Sequence, residues 1–416
     1  MSFFRSRWVE RPEHVSEAPP GELPQGFRSA AVAAGLKPGD ALDVGVLFSD
    51  RPETTSAARF TTNARVGAPV RVSRAAALHR LRAVVANSGG SNTGDGERGL
   101  DTARAAQAAA AEELRIAPEQ VGVASTGVIG SELPRDALVS GVRQACARLG
   151  PDAEGLARAI LTTDRGPKRA CLDVELPTGV VRLAAQAKGA GMISPHFATM
   201  LCFVQTDAAL EPDTVELLTR VCVKRSFDRI SVDGQLSTSD TVFVLASGAA
   251  GVGVHPQTED ERLLGKAMDA LMRQLALEIV ADGEGSRRVG RVMVQGEPDD
   301  IEPVARAVAD SPLVKTALHG GDPNFGRILQ AVGQAMAGRD GADGDLRVDL
   351  DVQGRRVVSD GVALKLDADE WSDVEKAVLQ PEVELAITLP GDGGATEVFF
   401  SDLSREYVSL NAHYTT

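Results

Sequence analysis

Short runs of aliphatic and β-branched residues alternate along the chain with longer stretches whose apolar positions recur every three or four residues. The short runs predict strands at Leu42–Phe48, Arg82–Asn87, Val121–Ser125, Leu201–Gln205, Thr241–Ala246, Gly290–Gln295, Leu346–Val352 and Glu384–Leu389. The longer ones predict helices at Asp101–Arg115, Pro212–Ser226, Thr258–Val280, Ile301–Ala309 and Gly326–Met336. Thr258, followed by Glu-Asp-Glu, supplies an N-cap and acids for a first turn. Strands and helices mix without a strict βαβ rhythm, and no fixed-period repeat is visible. That pattern favours a layered α/β or α+β architecture over a doubly wound sheet. Residues 1–24, with Pro12, Pro19, Pro20 and Pro24, read as an extension or surface arm. The Gly- and Asp-rich stretches Gly338–Gly344 and Gly391–Gly394 read as subdomain edges.

Composition narrows the class. The 416 residues are enough for two or three compact units with real cores. Lys and Arg number 44 against 58 Asp and Glu, and the net charge of −14 with no basic block argues against a nucleic-acid partner. The start lacks the apolar core of a signal peptide, and no run of eighteen apolar residues follows, so a cytoplasmic protein without a membrane partner is expected. Four cysteines without CxxC spacing point to a reducing compartment and to no zinc or other metal site. Aromatics reach only 4% while Gly reaches 42 residues, so the core is expected to be Val, Leu and Ala with close backbone approaches. Histidines number only six, which directs the search for a general base elsewhere.

Four segments carry candidate chemistry. In Asn87–Gly99, Gly94, Gly96 and Gly99 match GxGxxG before a helix, but Ser88–Thr93 separate them from the strand end, so a cleft-shaping loop fits better than a dinucleotide site. After the strand Val121–Ser125, Thr126 and Gly127 offer a hydroxyl and a free N–H, the pair of donors an oxyanion hole needs, although S-T-G is also a common turn. In 188–201, Lys188 and two glycines lead through Pro195 to Ala198-Thr199. A break before Thr199 would leave an α-amino group with an intrinsic pKa of roughly 7.7–8.0 beside its own hydroxyl, joining nucleophile and base in one residue. The break could be autocatalytic, by attack of Thr199 Oγ on the Ala198 carbonyl. In Asp282–Gly285, Glu284 is flanked by glycines at a helix end and could receive a cationic amine, or be a solvated acid after a C-cap.

Taken together, these segments resemble the ornithine acetyltransferase (glutamate N-acetyltransferase) family over about residues 25–416. The motifs, in order, are GFRSAAVAAGLK (26–37), STGVIG (125–130), ILTTD (160–164), KGAGMISPHFATML (188–201), VDGQLSTSDT (232–241), DGEG (282–285), VKTALHGGDPNFGR (314–327) and YVSLNAHYTT (407–416). The resemblance implies a layered α/β sandwich with mixed sheets and a smaller C-terminal lobe. It implies self-cleavage at Ala198–Thr199 into an α piece (25–198) and a β piece (199–416) that build one site, usually in a dimer of αβ units. Thr199 would be the nucleophile, Thr126 and Gly127 the oxyanion hole, and Thr162, Lys188, Thr199, Glu284, Asn411 and Thr416 the substrate contacts. The implied reaction is ping-pong transfer of acetyl from N2-acetylornithine to glutamate, without metal, flavin or nucleotide, with acetyl-CoA as a donor in some members.

Departures cluster near the implied contacts. The expected NSGNANACTG is the shorter NSGGSNTG. Arg165 and Gly166 follow TTD where the family carries a threonine and a larger residue. His196 and Phe197 precede Ala198-Thr199, Gln235 replaces an acid, and Ser286-Arg287-Arg288 follow DGEG. These changes leave open a paralogue with another acyl donor or amine acceptor, a hydrolase that passes the acyl group to water, and a cleaved but idle protein.

Overall fold

The computed structural model describes residues 2–194, 200–339 and 346–413. Two sheets lie face to face. One has six strands in the order Val15–Ala18, Lys168–Leu176, Gly179–Lys188, Leu201–Thr206, Thr241–Ala246 and Thr55–Phe60. The other has four, in the order Phe27–Val32, Val44–Ser49, Ala83–Asn87 and Val121–Ser125. Leu47, Val84, Ala86 and Ala124 of the smaller sheet share one buried cluster with Leu201, Phe203, Phe243 and Leu245 of the larger. The approach is close: a Cβ on Gly122 would lie 2.8 Å from the Phe243 ring. Helices cover both outer faces. Gly96–Leu114 and Arg135–Cys146 bury alanines and leucines against the smaller sheet. Pro212–Arg225, through Val215, Leu218 and Val223, and Glu259–Ala281, through Leu264, Leu271 and Leu275, cover the larger. The layers therefore run helix, sheet, sheet, helix, and the layered α/β expectation holds.

The smaller C-terminal lobe is a seven-stranded mixed sheet. At its centre, Val289–Gly296 pairs parallel with Glu382–Thr388 and antiparallel with Gly394–Ser401. Helices Pro298–Asp310, Pro312–Gly320 and Phe325–Met336 pack on it through Val304, Val308, Val314, Ile328 and Val332. The strand Ile230–Ser231 pairs with Phe399 and Phe400, joining this lobe to the sandwich.

Three expectations change. The segment 1–24, read as an extension or surface arm, packs on the rest of the fold. Val15–Ala18 forms an edge strand on Lys168–Leu176, Val9 and Val15 are buried, and Trp8 Nε1 donates to Glu384 Oε2 at 3.1 Å. Its alternation of single apolar residues with charges is what an edge strand shows when only one face is covered. Gly391–Gly394 is no subdomain edge, because the strands on either side of it belong to one sheet. Part of Gly338–Gly344 lies outside the described residues. The helix expected from Asp101 starts at Gly96, and the hairpin Lys168–Leu176/Gly179–Lys188 was hidden by its outward Arg169, Asp173, Glu175 and Arg182.

Candidate active site

The parallel strands Ala83–Asn87 and Val121–Ser125 end side by side, and their loops interlock. Thr126 N donates to Asn87 O at 3.0 Å, and Ser125 Oγ donates to Asn87 Oδ1 at 2.6 Å. Gly127 has φ +124°, and a Cβ there would lie 2.7 Å from Gly90 N. Only glycine permits both the conformation and the approach. The Asn87–Gly99 loop thus shapes the cleft. Asn92, Thr93 and Ser88 are buried, which leaves no open cradle for a pyrophosphate, and Gly96 begins the helix rather than a turn after the strand.

Lys188 ends the strand Gly179–Lys188 and stands opposite Leu201 across the ladder, so the chain re-enters the sheet beside it after the expected cut. Its side chain is buried. The ammonium donates to Thr126 Oγ1 at 3.1 Å and to Thr162 Oγ1 at 2.9 Å. Burial lowers its pKa, and the nearby Asp164 carboxylate opposes that fall. For Asp164 itself burial acts upward, but the charges of Lys188 and Lys168 outweigh it and hold the carboxyl at about 2. Asp164 Oδ1 accepts from Lys168 Nζ (2.7 Å) and Gly189 N (2.7 Å), and Lys168 reaches on to Asp282 Oδ2 (2.6 Å).

The turn after the long helix Glu259–Ala281 presents Glu284, whose N–H donates to Ala190 O at 2.9 Å. Gly191 makes room for it: a Cβ there would lie 2.7 Å from Glu284 Oε1. The last described helix, Arg405–His413, places Tyr407 and Asn411 on one face by their i, i+4 spacing. Asn411 Nδ2 donates to Glu284 Oε2 at 2.6 Å, and Tyr407 Oη donates to Asp233 Oδ2 at 3.2 Å. Asp233 also accepts from Met192 N (2.7 Å) and Ile193 N (2.9 Å), pinning the segment after Lys188. Burial raises the Asp233 pKa, while burial and Asp233 together raise that of Tyr407.

Of the expected site residues, Thr126, Gly127, Thr162, Lys188, Glu284 and Asn411 line one cavity of about 410 Å³. Ala198, Thr199 and Thr416 lie outside the described residues, as do His196 and Phe197. The nearest described neighbour of Thr199, Met200, donates its N–H to the buried Asp240 Oδ1 at 3.0 Å. Among the departures, Gln235 lines the cavity. Arg165 latches the Glu284 turn by donating to Ser286 O at 2.8 Å. Arg288 faces away and donates to His319 O at 2.7 Å. Sequence reasoning missed Asp164, Asp233 and Tyr407, although all three stand within quoted motifs and Tyr407 sits one helical turn before Asn411.

Hydroxyls, an ammonium and a carboxylate converge here on one cavity, a lining that with the layered fold suits an enzyme acting on a small polar substrate. The chain belongs to the ArgJ family, whose model matches residues 28–416, and this is the ornithine acetyltransferase family that the ordered motifs indicate. Two relatives are named arginine biosynthesis bifunctional protein ArgJ. That of Nitratidesulfovibrio vulgaris is 40% identical over 396 residues, covering 94% of this chain and 98% of its own. That of Thermus thermophilus is 39% identical over 400 residues, covering 95% and 99%. A solved ornithine acetyltransferase from Mycobacterium tuberculosis, in complex with ornithine, is 34% identical with a TM-score of 0.41, covering 44% of this chain and 98% of its own.

Proposed function

We propose that this chain moves an acetyl group from N2-acetylornithine to glutamate in cytoplasmic arginine biosynthesis, through an acyl-threonine formed on Thr199 after self-cleavage at Ala198–Thr199. The observation that carries the reading is the Lys188 ammonium held between the Thr126 and Thr162 hydroxyls in a cavity that Glu284 and Asn411 also line. In the maturation step Thr199 Oγ attacks the Ala198 carbonyl, the amide becomes an ester with a free Thr199 amine, and water hydrolyses the ester. In the first half-reaction the Thr199 amine takes the hydroxyl proton as Oγ attacks the acetyl carbonyl. Thr126 and Gly127 donate to the oxyanion of the tetrahedral intermediate. Its collapse breaks the C–N bond, and the leaving α-amine of ornithine collects the proton. Glutamate then attacks the ester with its amine, the Thr199 amine takes the proton that this nitrogen gives up, and Thr199 Oγ leaves with that proton as N-acetylglutamate forms.

Lys188 and Glu284 supply opposite charges for substrates that carry both a carboxylate and an amine. Thr162, Asn411 and Thr416 complete the proposed contacts. No metal, flavin or nucleotide enters this scheme, and acetyl-CoA is an alternative donor to be assayed. The two pieces form one αβ unit, and two such units pair.

The test is an assay of N2-acetylornithine with and without glutamate, following free ornithine and N-acetylglutamate. Glutamate-dependent turnover is expected. Ornithine release that ignores glutamate would replace the transferase with a hydrolase. The same preparation should show two fragments by mass, and Thr199→Ala should show one; an intact wild-type chain would remove the threonine mechanism.

A further inference from the structure

The charges behind Lys188 have no part in the scheme above, yet they are built into its surroundings. The Asp164 side chain has no exposed surface. Its Oδ2 accepts from Thr162 N at 3.1 Å and its Oδ1 from Gly189 N at 2.7 Å. Gly189 follows Lys188 in the chain, and Thr162 carries one of the two hydroxyls to which Lys188 donates. One carboxylate therefore fixes the backbone on both sides of the ammonium. From the far side Lys168 donates to the same carboxylate and is anchored by Asp282.

We propose that Asp164 is a positioning residue that keeps the buried Lys188 protonated, and that Lys168 limits how strongly it does so. The inference deepens the acyl-transfer reading and rests on it. An ammonium has three donors and no acceptor. While Lys188 is charged, Thr126 Oγ1 and Thr162 Oγ1 must both accept from it, so their own hydrogens are turned outward, toward an oxygen in the cavity. A neutral amine has a lone pair and can accept from either hydroxyl. The donor would then be withdrawn from the oxyanion just when it is needed. The protonation of Lys188 thus sets the direction of the hydroxyl pair. The charged groups that act on Lys188 are Asp164, Asp240 and Glu284, which favour the ammonium, and Lys168 and Lys37, which oppose it.

Two substitutions should act in opposite directions. Asp164→Asn removes the anion, so Lys188 loses its proton at lower pH and the alkaline limb of kcat/KM moves down by about one pH unit. The same variant lowers kcat, because the ammonium is misaimed rather than absent. Lys168→Met removes the opposing cation and moves the limb up. Thermal unfolding checks that both variants are folded, and Lys168→Met keeps the question open to measurement if Asp164→Asn is not. The Lys188 proton is also read without turnover, from the pH titration of carbon-13 at lysine Cε, assigned by loss of the signal in Lys188→Met. Opposite shifts of that midpoint in the two variants support the role. An unmoved midpoint, or shifts in one direction, overturns it. Absence of acetyl transfer by the wild-type enzyme would instead defeat the functional reading, and the Cε titration would still decide the part played by Asp164.

Discussion

Asn411 holds the carboxylate of Glu284 at 2.6 Å across 127 residues of chain, and it does so from a helix, Arg405–His413, that has no buried residue. Val408 is 62% and Leu410 40% exposed on that helix. Its attachment near the cavity therefore depends on polar contacts, those of Asn411 and Tyr407, rather than on apolar packing. Asn411→Ala should raise KM roughly tenfold, the worth of a hydrogen bond to a charged group, while the unfolding temperature stays within a degree or two. Steady-state kinetics and calorimetry check this, and a drop in unfolding temperature with unchanged KM would make the contact structural only.

Gly127→Ala tests the interlocked loops. The new Cβ would meet Gly90 N at 2.7 Å and Gly89 C at 2.8 Å, on a backbone at φ +124°. Strain and overpacking together should cost roughly 3 kcal/mol and displace the Thr126 hydroxyl as well. Urea unfolding with the variant as stable as wild type would show that the loops part easily.

Gly191→Ala is a gentler case. Its Cβ would strike the far end of the Glu284 side chain, which can swing aside. The expected result is a rise in KM for the amino-acid substrates with stability nearly unchanged. Equal KM values in the variant and the wild type would mean that Glu284 does not have to lie over Gly191.

Acid should expose the debt of Asp164. Its carboxyl titrates at about 2 in the folded protein, against roughly 3.9 when unfolded. The stability it adds is present above pH ~4 and is lost as pH falls through about 2, on the order of 2 kcal/mol. Unfolding free energies between pH ~5 and ~2 should therefore fall less steeply in Asp164→Asn. Parallel slopes would mean that the carboxylate is no better placed in the fold than in water.

The four thiols should be silent in the native protein. Burial pushes Cys146 and Cys171 up to about 12, and raises Cys202 and Cys222 further. A disulfide reagent near pH 8 should label none within minutes and all four after denaturation. Rapid native labelling of Cys146, the least buried of them, would mean that its helix end opens.

Much of this was legible from residue order because the central strands are apolar throughout. Val121–Ser125 and Thr241–Ala246 read directly, since both their faces are covered and nothing polar interrupts the run. The hairpin that carries Lys188 did not read, because Arg182 and Asp173 pair across it on an outward face and break the apolar pattern. Short helices such as Glu154–Ala159 owe their existence to packing, with Leu156 and Ala159 pressed on the strand at Gly45, and no local signal announces that. In the site, the motif order marked Thr126, Lys188, Glu284 and Asn411. It could not mark Asp164 and Asp233, whose importance lies in which backbone N–H groups they reach. Such partners are set by tertiary approach and leave no spacing to read.

The order of the larger sheet has a consequence for a nicked molecule. Leu201–Thr206 and Thr241–Ala246 lie between Gly179–Lys188 on one side and Thr55–Phe60 on the other. Strands from after the expected cut are thus held within a ladder whose rails come from before it. While the chain is whole, every excursion to the unfolded state can be undone by the same molecule. Once it is cut, the two halves would have to find one another again in solution and re-form both pairings that cross the cut. Maturation would in that way trade a reversible fold for one made once, and the lifetime of the enzyme would be governed by how rarely the ladder opens rather than by how readily it re-forms.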